Sequence, residues 1–453
     1  MSGSLFWKKV LIRTGLARHL PWTRRHYPSG TAYLHQYSDR VLTAPVSECT
    51  DPTTFPESPG PDVLNLNQAN PIFEGIGSGG RSPNILNREA QIWGLPDLRE
   101  AIAERCRSDS GRSIDPKREL LISHGATGAL AAVLDAFVNP GQGVVLFDPG
   151  SPLFSLGAKS RRARIRWVPT RVEDGFTRFD DQHLIQAMRG AKLLILADPV
   201  NPTGGRFHPE DVQKIASLAE QQDLLLVLDE TFAWFREDGG INLLPQLPAA
   251  KLRTLVIGSV SAGYGLSPYR VGWLSGPTGL IQAAALMANL NAPGVPAIAQ
   301  VAALKVLRSD EERFGPVREE LRDRRRYTLA QLRGIGIQPE RPSGGYFLWL
   351  PVQSFNMTGR EFAERLLKEQ QVLVGPGEAF GPSGSRFVRL SVAGDDGRLR
   401  EGLGRIAKFV GRATGTSGGS SKTACPIHRD TEPVVESESQ PALATRPPVF
   451  SRV

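Results

Sequence analysis

Four short polar stretches, each just downstream of an apolar run, carry residue types suited to holding an anion and a charged ring. After "LLISHG", a turn leads into a helix at Ala126-Thr127-Gly128, where free backbone N–H groups and the Thr127 hydroxyl could hold a phosphate. Asn201-Pro202-Thr203-Gly204 follows "LLILADPV"; its proline and glycine fix a turn and present a side-chain amide. Asp229 closes "DLLLVLD" with a carboxylate. Ser259, Ser261 and Arg270 follow the run "TLVIG", adding two hydroxyls and a guanidinium whose paired donors match a dianionic phosphate. Each stretch alone has an ordinary reading, as a turn, a helix cap or a solvated arginine. Their order along the chain is what points to a site.

The elements that must position these residues follow from apolar periodicity. "LPDLREAIAERCRS" has helical spacing, "ELLISHG" reads as a strand, and "ATGALAAVLDAFV" is helical again. "GVVLFDPG", "AKLLILADP" and "DLLLVLDE" are short Val/Leu/Ile runs ending at Gly, Pro or Asp, and the helix "HPEDVQKIASLAEQQ" separates the last two. Buried parallel strands divided by amphipathic helices predict a doubly wound α/β domain. In such sheets, ligands gather beyond the carboxyl ends of the strands, where all four polar stretches fall.

A chain of 453 residues, 40% hydrophobic and 22% charged, can bury a large core as one big domain plus a smaller one. Cys49, Cys106 and Cys425 have neither metal-ligand spacing nor an even disulfide framework; a reducing, cytoplasmic compartment is expected and no metal site is. The net charge of +8 draws on a front segment, residues 5–28, with six Lys or Arg and no acid. It reads as an N-terminal arm, with weak contact to an anionic membrane surface as the second reading. No nucleic-acid-binding motif follows it. From about Thr414 the chain is rich in Ser, Thr, Gly and Pro and is expected to be a disordered tail.

Together, "GLPDLREAIA", "SHGATGAL", "NPTGG", "LVLDETF", "SAGYGLSPYRVGW", "SGGYFLWLPV", "VLVGPGEAFG" and "FVRLSVA" resemble the class I/II aminotransferases of the fold-type I pyridoxal-phosphate family. The resemblance runs from "DVLNLNQANPIFE" to "FVRLSVAGDDG", most of the chain. It implies a large cofactor-binding domain over 71–308 with a mostly parallel seven-stranded sheet. A smaller α+β domain over 309–413 would follow, joined by part of the 1–70 arm, with the tail at 414–453. A homodimer is the family default. The implied cofactor is pyridoxal phosphate or pyridoxamine phosphate, and the implied substrate an amino acid or 2-oxo acid.

Roles carry over residue by residue. Asp229 would pair with the pyridine nitrogen and keep it protonated, so that the ring draws electrons from the substrate. Asn201 would bond the ring's phenolic oxygen and border the substrate. Ala126, Thr127, Ser259, Ser261 and Arg270 would hold the phosphate, and Arg389 would clamp the substrate α-carboxylate.

Ala262 stands where the resemblance implies the Schiff-base lysine, so no catalytic residue is intact. A methyl group can neither hold the cofactor covalently nor move a proton, and losing a positioned general base costs about 10²–10⁴ in rate. Other departures accompany it. Ser151 replaces an aromatic ring expected to stack on the cofactor, Phe232 a common tyrosine, and Glu89 a tyrosine that reaches a neighbouring subunit's phosphate. His124 reads as a partly buried histidine bonded to backbone rather than a substitute amine, and Lys251 should lie at the far end of its strand. Three readings follow: noncovalent cofactor binding with weak or altered chemistry, a non-catalytic binding or regulatory protein, or an active enzyme carrying an engineered Lys-to-Ala change. The accompanying departures favour natural divergence.

Overall fold

A computed structural model describes residues 33, 36–43, 92–237, 240–308 and 311–413. The front segment 5–28, Glu89, and the tail from 414 lie outside the described residues.

Seven short apolar runs form one sheet: β1 (Leu120–His124), β2 (Gly143–Asp148), β3 (Arg164–Pro169), β4 (Ala191–Ala197), β5 (Leu225–Asp229), β6 (Thr254–Ser259) and β7 (Val271–Ser275). Their order is β1-β7-β6-β5-β4-β2-β3. The pairs among β2 to β6 are parallel, and β7 runs antiparallel to both β1 and β6. This is the mostly parallel seven-stranded α/β sheet anticipated from the motifs.

The central strands read as continuous hydrophobic runs because both faces are covered. Leu193 and Ile195 of β4, with Leu225 and Val227 of β5, pack with the helices Gly125–Phe137 and Thr278–Asn291. The alternate residues Leu194, Leu196, Leu226 and Leu228 pack with Asp181–Met188 and Pro209–Gln221 on the other side. Each fully buried Leu contributes about 1.5–3 kcal/mol of transfer free energy.

A second, three-stranded antiparallel sheet has the order β8-β10-β9, from β8 (Phe347–Pro351), β9 (Gly375–Pro376) and β10 (Phe387–Ser391). Leu348, Leu350, Val388 and Leu390 share a core with residues of the helices Gly359–Gln370 and Asp396–Ala413. Thr358 starts the first of these with a capping box closed by Glu361, which satisfies two orphan N–H groups at once. Strand side chains alternate, so Arg389 and its cross-strand partner Trp349 leave the sheet on the face opposite that core.

The two sheets are fastened at Asp148, the last residue of β2. Its buried carboxylate accepts the Ser383 hydroxyl at 2.8 Å and the Ser383 N–H at 3.0 Å. A Cβ at Gly381 would lie 2.2 Å from Asp148 Oδ1, so only glycine fits there.

Candidate active site

The C-terminal edge of the large sheet gathers most of the anticipated residues, and the strand register explains how. Ser259 of β6 pairs with Gly272 of β7, and His124 of β1 pairs with Val271. The chain leaving β1 at Gly125 therefore passes directly over β7. Gly272 permits this: a Cβ there would sit 2.5 Å from the Gly125 carbonyl carbon and 2.8 Å from the Ala126 nitrogen. Gly125 has φ +67°, and a Cβ on it would meet Arg270 Nη2 at 2.4 Å. The Arg270 guanidinium thus lies against the first turn of the helix Gly125–Phe137, whose unpaired N–H groups favour an anion.

Ser259 and Ser261 complete this cradle with different duties. Ser259 is buried; its hydroxyl accepts the Ser261 N–H at 3.0 Å and lies 2.9 Å from the Ser261 hydroxyl and 3.2 Å from the Val271 carbonyl oxygen. With its bonds spent inside the protein, Ser259 orients Ser261. Ser261 Oγ in turn stands 3.5 Å from Arg270 Nη1, which donates to the Ser267 carbonyl at 3.1 Å. Ala126 is half-buried on the same helical turn, and Thr127 beside it is exposed.

Asp229 ends β5 next to β6, opposite Ile257. One carboxylate oxygen, Oδ1, accepts the Thr231 N–H at 2.9 Å and also the Thr231 hydroxyl. Neither bond uses Oδ2. Burial pushes this carboxyl above the usual carboxylate range, and the two Thr231 bonds oppose that shift. A cationic ring nitrogen facing Oδ2 would stabilise the ionised form that burial disfavours. A buried carboxylate with one open oxygen and a guanidinium-hydroxyl cradle form a donor set suited to a protonated pyridine bearing a phosphate.

From the second sheet, Arg389 Nη1 donates to Asn201 Oδ1 at 3.0 Å, joining the Asn-Pro-Thr-Gly turn to β10. Its guanidinium lies 4.0 Å from the Phe347 ring centroid and 4.8 Å from that of Phe380, and burial lowers its pKa from the ordinary arginine value. Phe232 packs edge-on against Tyr346 and Phe347, with centroids 5.3 and 5.5 Å apart. Burial raises the Tyr346 phenol pKa, and the nearby Arg389 charge opposes the rise. Tyr346 and Phe380 were not singled out by sequence reasoning, although both lie inside motifs it recognised. A tyrosine immediately after a paired Gly-Gly was the available signal.

Ala262 lies in the four-residue helix Val260–Gly263 and is half-buried against the second sheet's hydrophobic cluster, which also takes in Phe232, Trp234 and Tyr346. Gly263 follows, where an added Cβ would crowd the Trp234 ring at 3.1 Å. Lys251 precedes the start of β6, and the strand's six residues, about 20 Å of extended chain, separate it from position 262. Ser151 precedes the helix Pro152–Ser160 without capping it through its side chain. His124 departs from the expected backbone-bonded state: it is half-buried, but its Nε2 is buried with no hydrogen-bond partner among the described residues.

Residues 82–406 match the model of the family described as aminotransferase class I and II. Aspartate aminotransferase of Pyrococcus abyssi is 30% identical over 322 residues, covering 70% of this chain and 82% of the relative. Aspartate/prephenate aminotransferase of Thermus thermophilus is 31% identical over 324 residues, covering 71% and 82%. Among solved structures, the aromatic aminotransferase from Pyrococcus horikoshii superposes with a TM-score of 0.70 at 27% identity, covering 73% of this chain and 89% of that one. With its sheet order, its edge site and a family match over most of its length, the chain belongs to the class I and II aminotransferases.

Proposed function

We propose that the protein binds pyridoxal phosphate or pyridoxamine phosphate noncovalently, together with an amino acid or 2-oxo acid, and does not carry out transamination at ordinary speed. Pyridoxal phosphate is the cofactor of class I and II aminotransferases. When bound, it supplies an electron-withdrawing ring that weakens bonds at the substrate α-carbon. In this reading, Arg270, Ser261 and the Ala126–Thr127 turn hold the phosphate, with Ser259 orienting Ser261. Asp229 holds the ring nitrogen's proton, Asn201 borders the ring oxygen, and Phe232 packs beside it. Arg389 binds the substrate carboxylate.

One observation carries the reading. The short helix that supplies Ser261 to the cradle supplies only a methyl at the next position, the position at which the resemblance implies the Schiff-base lysine. No side-chain amine at 262 can join the cofactor or move a proton to or from the substrate carbon.

The domain division at about 308 is part of the same proposal, supported by the separate hydrophobic clusters beneath the two sheets. So is a homodimer, which the exposed Leu290, Ile298 and Val301 on neighbouring helices support. A cytoplasmic location suits the free thiol of Cys106. Among the described residues no helix is long and apolar enough to cross a membrane.

Titrating the full chain with pyridoxal phosphate tests the proposal. Saturable growth of protein-bound absorbance in the free-aldehyde band, with no borohydride-trappable bond to the protein, is expected. Failure to bind would instead favour a non-catalytic role without cofactor. The alternative of an engineered substitution predicts that Ala262→Lys alone restores full amino transfer.

A further inference from the structure

At the opposite end of the large sheet, beneath the starts of β1 and β6 and the end of β7, lies a cavity of about 570 Å3. Ser275, the last residue of β7, lines it. Val256 stands opposite Ser275 across the β6–β7 pair, so the two side chains leave the same face of the sheet, and Val256 lines the same cavity. Ser275 is 1% exposed, yet its hydroxyl has no hydrogen-bond partner among the described residues. Nearly all buried polar groups are paired, so a hydroxyl left over at a cavity wall points to a bound group that completes it.

The surroundings set the sign of that group's charge. Thr278 and Gly279 line the cavity and open the helix Thr278–Asn291. No side chain caps this helix, and its first turn has no acidic residue. Its leading N–H groups and the positive end of its dipole are therefore open to an anion. Lys251 adds an exposed ammonium to the wall. Among the described residues Glu119 is the one carboxylate in the lining, and it is engaged with the Asp115 N–H at 3.0 Å. Arg112 also lines the cavity, with its guanidinium already 3.4 Å from Cys106 Sγ and 3.9 Å from Glu230.

We infer that this cavity binds a small oxyanion, a phosphate or a carboxylate, held by the Ser275 hydroxyl, the open terminus of the helix Thr278–Asn291 and Lys251. The length of β6 separates it from the Arg270 cradle, so it would act as a second, independent anion site.

The test uses the full chain carrying Arg270→Ala, which disables the cradle's own attraction for phosphate. Calorimetric titrations with inorganic phosphate and, separately, with malonate distinguish the two sources. Saturation by phosphate alone assigns a phosphate site, and saturation by malonate alone a carboxylate site. In either case Lys251→Met and Ser275→Ala should each weaken binding about tenfold, the scale of one charge-assisted or buried hydrogen bond. Lys251 is exposed, so its substitution leaves the fold intact and the result decisive even if Ser275→Ala perturbs packing. Absence of saturation with both anions, or saturation indifferent to Lys251→Met, overturns the inference.

Discussion

The anion cradle and the wall around position 262 meet within one short helix, but they are built on different principles. The cradle is imposed by the backbone: Gly272 lets the β1 turn approach, and Gly125 gives the Arg270 guanidinium its place. Around position 262 the contacts come from side chains, with Ala262, Phe232, Trp234 and Tyr346 packed into the second sheet's cluster. Close backbone approach tolerates almost no substitution, whereas an apolar wall accepts side chains of different length. A fold can therefore keep its phosphate-binding geometry while its reacting group changes.

The sharpest break of this contrast is Arg270→Ala. Losing a guanidinium that faces a dianion should weaken pyridoxal phosphate binding about 100-fold, with melting temperature nearly unchanged because the side chain is exposed. Equal affinity in a fluorescence titration would show that the cradle is not where the phosphate sits. Ala262→Lys should come next in size. If the wall has merely lost its amine, the variant gains a borohydride-trappable bond to the cofactor, detectable as a mass increase on the intact chain. An untrappable variant that still binds cofactor would mean that the wall itself has closed around the methyl.

Gly125→Ala should cost about tenfold in cofactor affinity. The added Cβ collides with Arg270 Nη2, and a positive φ is strained by about 1 kcal/mol for an L-residue. Arg270→Ala combined with Gly125→Ala should cost less than the sum of the two single losses, because the collision partner is gone while the backbone strain remains. A double-mutant cycle with fully additive losses would contradict the contact.

Asp229→Asn gives the smallest and most two-sided effect. Burial raises the folded-state pKa of Asp229 above its unfolded value, so ionising it destabilises the cofactor-free protein. That cost is absent below the ordinary carboxylate range and grows as pH rises through the folded value. Cofactor-free Asp229→Asn should therefore melt higher than the parent near neutrality, and the gap should close on acidification toward the ordinary carboxylate range. Cofactor affinity should move the opposite way, falling several-fold for lack of a counter-charge. A parent and variant with parallel melting curves at every pH would remove the electrostatic premise.

Much of this was legible in the sequence because the signals were local. Val/Leu/Ile runs ending at Asp, Pro or Gly marked the strands, and the residues just beyond them marked the sheet's ligand edge. The antiparallel entry of β7 between β1 and β6 was not legible, since a short apolar run carries no direction. Tyr346 escaped notice because its neighbours Phe232 and Arg389 are more than forty residues away in either direction, and only the packing of two sheets unites them. Ser259 and Ser261 looked equivalent in sequence. Their division into an inner and an outer hydroxyl depends on the turn at the end of β6, which no spacing reveals.

The fastening at Asp148 has a mechanical consequence. Three contacts from Ser383 converge on one carboxylate, beside a glycine that admits no side chain. Any swing of the layer bearing Arg389 relative to the layer bearing Asp229 must strain this fastening together with the Arg389–Asn201 bond, so the two layers behave as plates riveted at more than one point.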